Sequence, residues 1–195
     1  MQLRCTINDT LNVVVALSGI AILRSEDARI SGTIYFNQTV GDKTLIRGQI
    51  FGLTPGRHGL HVYNWGNFTR FCRSIGYHFN PDWYPHGGLE DRIRHNGDLG
   101  NIEVAADGVA NVSKRSDRIE LFGRNNVFGR AIAVTEFEDD LGISNSKISQ
   151  RNGASGRPLA CGIIAKLDIV YEPMDMVVGY PGDNHGNHGH RRRRR

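Results

Sequence analysis

His58–Asn101 reads HGLHVYNWGNFTRFCRSIGYHFNPDWYPHGGLEDRIRHNGDLGN, and five of the chain's eight histidines fall inside it. His78, His86, His95 and Asp98 follow one another as H-x7-H-x8-H-x2-D in a segment dotted with Gly, Pro and Asn, too irregular for one helix or one strand. A long loop is implied. Three imidazoles and a carboxylate can supply the four N/O ligands of a closed tetrahedral zinc site, and a loop gains much from such a cross-link. The spacing matches no short zinc signature, so histidines that merely share a surface loop remain an alternative on spacing alone.

Outward from this stretch the chain reads as β-structure. Ile20–Arg24, Arg29–Asn37 and Lys43–Phe51 are short runs with partial apolar alternation, separated by charged or Gly-containing turns. Further strands are expected at Gly59–Tyr63, Gly100–Ala105, Val109–Val112, Ser116–Leu121, Ala131–Thr135 and Ala160–Leu167, with Asp107-Gly108 as a tight turn. The expectation is an all-β sandwich or barrel.

A chain of 195 residues with 39% hydrophobic and 23% charged residues suits one globular domain, and 24 glycines point to many turns. The net charge of +4 comes from the end of the chain: Arg191–Arg195 carry +5, so the remainder carries −1. Residues 171–195, with His185, His188 and His190 ahead of the arginines, read as a disordered tail able to touch divalent metal or anionic surfaces. Residues 1–19 read as an N-terminal extension. Its apolar run Leu11–Leu17 and the small pair Ala16 and Ser18 sketch a weak secretory signal, interrupted by Asp9, and no stretch is long enough to span a membrane. Residues 20–170 hold the folded domain.

HGLHV, GYHFNP, HGG, RHNGDLGN, then EFEDDLG at Glu136–Gly142 and LACGIIA at Leu159–Ala165, resemble the copper/zinc superoxide dismutases in order and spacing. The match runs from about Ile20 to Leu167. The resemblance implies a Greek-key β-barrel of about eight strands with two long loops, near Asn64–Asp98 and Glu136–Arg157. It assigns His78, His86, His95 and Asp98 to zinc, with His78 bridging to copper. The family holds copper through that bridge and three further histidines. Here His61 keeps one of these positions, while Tyr63 and Thr135 stand at the other two. A phenol ligates only as phenolate, from an ordinary pKa near ~10, and a neutral hydroxyl is a poor ligand for a metal that prefers imidazole or sulfur. Zinc (Zn2+) is therefore the expected cofactor and copper (Cu2+/Cu+) a weakened one.

By the same resemblance Cys72 and Cys161 form a disulfide, with Cys5 left over, and Asp139 links the copper-side His61 to the zinc-side His86. Arg157 takes the place of the arginine that guides the anion to copper, although Pro158 departs from the family pattern just after it. The family dimer packs its first and last strands and the turn near Gly129, and Lys166 and Asp168 put charge close to that face. Two functions follow. The favoured one is a superoxide dismutase-like, zinc-bound protein with little or no dismutase activity that acts by binding, for example to a superoxide dismutase subunit as a homodimer or heterodimer, or to a copper chaperone. The alternative is an active enzyme converting superoxide to oxygen and hydrogen peroxide through an altered copper sphere. A cytoplasmic location is expected, with an extracellular one as the alternative, because the family keeps its disulfide even in reducing compartments.

Overall fold

The computed structural model describes residues 16–167. Cys5, Asp168 and the His/Arg-rich tail lie outside them. Strand periodicity sets the architecture, because each strand sends alternate side chains to opposite faces. In β2 (Ser31–Thr39) Ile34 and Phe36 are fully buried while Tyr35 and Asn37 face out. In β1 (Ala16–Ser25) Ala21 and Leu23 point inward, and in β3 (Thr44–Phe51) Ile46 and Ile50 do so. β1 begins four residues ahead of the expected Ile20, with Ala16–Ser18 paired against Thr39–Asn37.

The remaining strands are β4 (Gly56–Val62), β5 (Thr69–Cys72), β6 (Asp98–Val104), β7 (Val109–Ser116), β8 (Ala131–Thr135), β9 (Pro158–Ile163) and β10 (Ala165–Leu167). Their order is β1-β2-β3-β7-β6-β4-β8-β9, all pairings are antiparallel, and β9 returns to β1 through Arg24 opposite Cys161. This is a closed eight-stranded barrel, which leaves no free edge, with β10 as an extra strand on β1. β3 and β4 are consecutive in the chain yet separated by β7 and β6 in the sheet, the mark of a Greek key. Ser116–Leu121, expected as a strand, is not one. Beyond Ser116 the chain turns, and Glu120 makes only an isolated bridge to Asn126. The expected last strand is split at Ile164, whose buried side chain enters the core.

β4 and β8 divide their residues between two interiors. Leu60, Val62, Ile132 and Val134 join the barrel core. Tyr63, Ala131 and Ala133 join a second cluster outside it, with Cys72, Ile75 and Cys161. All five residues of β8 are buried because the long loop 64–97 roofs the outer face of the sheet. That roof is pinned twice. Cys72 and Cys161 form a disulfide, and Arg130 donates to the Asn64 carbonyl at 2.7 Å while its guanidinium lies 3.7 Å from the centre of the Phe79 ring. The disulfide closes a loop with a sequence separation of 89, which in the chain-entropy account is worth about 4.5 kcal/mol. Cys161→Ser is expected to lower unfolding stability by an amount of that order in denaturant titration, and unreduced peptide maps should recover Cys72 and Cys161 together. Recovery of both as free thiols from oxidised protein would refute the pairing.

Candidate metal centre

The site sits on the outer face of the barrel, under the roof. Since Leu60 and Val62 point into the core, His61 and Tyr63 must point away from it. The facing pairs Leu60–Val134 and Val62–Ile132 put Thr135 on the same outer side. A register shift between Gly59 and His61 brings Asp98, at the head of β6, opposite His61. Gly59 has to be glycine here, because a Cβ would fall 2.6 Å from both the His61 ring and the Thr135 hydroxyl.

Asp98 is the hub. Its Oδ1 lies 2.8 Å from His78 Nδ1 and 3.2 Å from His95 Nδ1, and its Oδ2 lies 2.9 Å from His86 Nδ1. Backbone N–H groups of Gly87 and His95 also donate to Oδ2. The His86 contact is within ion-pair reach but is not aligned as a hydrogen bond, so that buried nitrogen has no hydrogen-bond partner. Ligand atoms of all four residues lie within 4.8 Å of one another, and all four residues are buried. The edge of a tetrahedron with metal–ligand bonds of ~2.0 Å is roughly 3.3 Å. Two of the three nitrogens are hydrogen-bonded to the carboxylate, and the four side chains are close enough together to hold a metal ion.

Asp139 forms a second node. His61 Nε2–H donates to its Oδ2 at 2.9 Å and His86 Nε2–H donates to its Oδ1 at 2.7 Å. These bonds fix the hydrogen on Nε2 of His61 and leave its buried Nδ1 without a partner, its lone pair available. Although His61, His86 and Asp139 also group closely enough to hold an ion, their contacts are those of two donors and one bridging acceptor.

Two residues with no role assigned from sequence hold this fork. Asn101 accepts from Asp139 N–H and donates to its carbonyl, both at 2.7 Å. Gly153 caps the short helix α1 (Ser149–Asn152) at φ 67°, and a Cβ there would come within 1.8 Å of Asp139 Oδ1. Asn101 closes the RHNGDLGN run, but its use depends on a loop 38 residues away.

Tyr63 and Thr135 flank His61 and His78 without joining the donor set. Burial first, then the Asp98 and Asp139 charges, push the Tyr63 phenol above its ordinary range, so it stays neutral. The Tyr63 ring meets His78 edge-on at 5.2 Å between centroids, while His61 stacks on His78 at 4.0 Å. The Thr135 hydroxyl is turned to the backbone, near the carbonyls of Gly59 at 3.2 Å and Phe137 at 3.3 Å. His58 stands apart, its Nδ1–H donating to the Thr135 carbonyl and its Nε2 lying 3.1 Å from the Thr54 hydroxyl. Arg157 is 68% exposed in its side chain and pairs with Glu136 at 3.5 Å. It lines a surface hollow of about 400 Å³ with Phe71, Cys72 and Arg73, into which none of the clustered histidines reaches.

Burial works against charge on His86, but the hydrogen bond to Asp139 and the adjacent Asp98 carboxylate outweigh it and raise its pKa to about 9. Burial, followed by the neighbouring His61, drives His78 down to about 3 against the pull of Asp98. A raised histidine stabilises the fold below its unfolded pKa of roughly 6.5 and loses that contribution as pH rises through the folded value. A lowered one contributes above roughly 6.5 and loses its effect as pH falls toward the folded value. Metal-free protein should therefore melt highest near neutral pH, and in His86→Gln the decline between roughly pH 6.5 and 9 should flatten. Thermal melts of chelated protein across pH test this, and an unchanged alkaline limb in the variant would contradict it.

A family model described as copper/zinc superoxide dismutase (SODC) matches residues 30–164. An extracellular superoxide dismutase [Cu-Zn] of Brugia pahangi is 41% identical over 168 residues, covering 85% of this chain and 84% of that protein. The copper chaperone for superoxide dismutase of Homo sapiens is 44% identical over 153 residues, covering 78% of this chain but 55% of the chaperone. With the closed Greek-key barrel and the buried His/Asp cluster beneath its roofing loop, these matches place the chain in the copper/zinc superoxide dismutase family.

Proposed function

We propose that this protein is a zinc-holding member of the family that has given up the redox step and acts through binding. The family implies both copper and zinc, and the donors fit the two metals unequally. For zinc the donor set is whole: His78, His86 and His95 through Nδ1, and Asp98 through a carboxylate oxygen. Bound there, zinc would cross-link the long loop to β6 without redox chemistry. His86 would give up its Nδ1 proton to the metal, and Asp139 would keep the ring oriented through Nε2.

The observation that carries the reading is the hydroxyl of Thr135, committed to backbone carbonyls where the family offers an imidazole. With Tyr63 neutral, His61 Nδ1 and the second nitrogen of His78 are what remains for copper. Two imidazoles do not make a site that holds copper in both oxidation states, so no redox step is assigned to these residues. The unpartnered Nδ1 of His61 and the intact Asp139 fork are what favour the second reading, an active dismutase with an altered copper sphere. Arg157, turned to Glu136, would then have to swing in to meet superoxide.

A superoxide dismutase-type subunit, either this chain or a relative, is the partner class we favour. Support comes from the chaperone relative and from an apolar surface carrying Ile22, Trp65 and Ile163, exposed at 57, 58 and 41%. Gly162 packs on the Ile22 backbone and Gly66, which follows Trp65 in the chain, on Ile163. Lys166 is exposed on the neighbouring β10.

Protein prepared with both metals is expected to retain about one zinc per chain, little copper and near-background superoxide consumption. Asp98→Ala should lose zinc and melt lower, whereas Tyr63→His with Thr135→His should gain copper and measurable turnover. Wild-type protein that holds copper and consumes superoxide like a complete family member would overturn the first reading in favour of the second.

A further inference from the structure

The Asn-x-Ser/Thr triplet recurs in this chain, at Asn8-Asp9-Thr10, Asn37-Gln38-Thr39, Asn67-Phe68-Thr69 and Asn111-Val112-Ser113. Fifteen asparagines and eighteen serines and threonines among 195 residues produce about one such triplet by chance, and none of the four has Pro in the middle. Asn8 lies outside the described residues. The other three acceptors share one property that chance does not require: all are exposed. Asn37 and Asn111 are outward members of β2 and β7, flanked by the inward Phe36, Ala110 and Val112, so the barrel core is untouched by anything attached to them. Asn67 projects from the roofing loop.

Hydrogen bonding leaves these side chains open to substitution. Asn67 Oδ1 accepts from Thr69 N–H at 3.0 Å, an Asx turn that brings the acceptor asparagine and the hydroxyl residue of the triplet together, and its amide nitrogen donates to nothing among the described residues. Asn111 uses its oxygen to accept from Gln49, and Asn37 gives one exposed bond to the Ser18 hydroxyl. None of the three anchors a buried group.

We propose that Asn37, Asn67 and Asn111 carry N-linked glycans, and that the chain therefore passes through the secretory pathway. In the transfer, the Asn Nδ2 attacks C1 of a lipid-diphosphate-linked oligosaccharide. The N–C1 bond forms, the C1–O bond to diphosphate breaks, the lipid diphosphate leaves, and the amide proton passes to a base of the transferase; no oxidation is involved. The Cys72–Cys161 disulfide is compatible with an oxidising route, and the proposal takes the extracellular alternative over the cytoplasmic expectation. It does not depend on which metal is held.

The test is expression of the full chain in a eukaryotic cell, with the medium and the cell extract treated with peptide-N-glycosidase in heavy-oxygen water. The expected result is secreted protein whose mobility increases on treatment, with Asn converted to labelled Asp at positions 37, 67 and 111. Asn67→Gln and Thr69→Ala should each remove the label at 67, and Thr69→Ser should retain it. This separates loss of the acceptor from loss of the fold. Protein confined to the cytosol, secreted protein without glycan, or glycan at Asn8 alone would each overturn the proposal.

Discussion

A carboxylate with no solvent exposure has to be neutralised where it stands, and Asp98 is that group. Removing a charge from water costs several kcal/mol unless hydrogen bonds and opposite charge replace the lost hydration. Asp98 meets this with two backbone N–H groups and three imidazole nitrogens. Those imidazoles arrive from three points along one loop, so folding the loop and satisfying the carboxylate are a single event. Without metal the task falls to a proton on His86, held there by Asp98 and Asp139. Zinc, with twice the charge and fixed geometry, would do the same more completely.

The barrel supplies the rigid wall for this arrangement. Leu60 and Val62 lock the pleat of β4, Ile132 and Val134 lock that of β8, and the side chains between them can only face outward. A one-residue slip in β4 would turn His61 into the barrel core and Leu60 and Val62 out of it, so the core enforces the register of the site. This explains why an outer face, normally solvated in an antiparallel barrel, is here as dry as the inside. The roofing loop brings Phe79 into the main core and Ile75 and Cys72 into a second, smaller one.

What the sequence disclosed follows from how local each signal is. Ala131–Thr135 is read from its own residues and is found as β8 with the same limits. Asp107-Gly108 needs only the left-handed φ of Gly108, at 79°. The spacing of His78, His86, His95 and Asp98 within one loop left a chance surface grouping open, and the fold gathers the four around Asp98. Ser116–Leu121 misled because Ile119 and Leu121 look like alternate strand residues, yet they are buried by turning the chain over the barrel end, where the Ser116 hydroxyl accepts from Arg118 and Ile119 N–H. β5 was not foreseen: its four residues TRFC have no run of alternation, and Phe71 takes a positive φ of 53° to aim Cys72 at Cys161. Asn101 and Gly153 were missed for a different reason. Their importance exists only after two distant segments meet at Asp139, and no spacing within either segment announces it.

The same distinction bears on Thr135 and Tyr63. At the level of sequence each is simply a missing histidine, a subtraction from a ligand set. In the fold each is also an addition. The hydroxyl of Thr135 fits between the carbonyls of Gly59 and Phe137 at the end of β8, and its own carbonyl receives His58 Nδ1–H, so this residue ties β4 to the second loop. Tyr63 bridges the imidazole group and the disulfide cluster, with its ring set edge-on to His61 and His78 while it packs among Cys72, Ala133 and Cys161. Placing imidazole at both positions must therefore displace these contacts as well as add nitrogen donors, which sets a structural cost against the added donors.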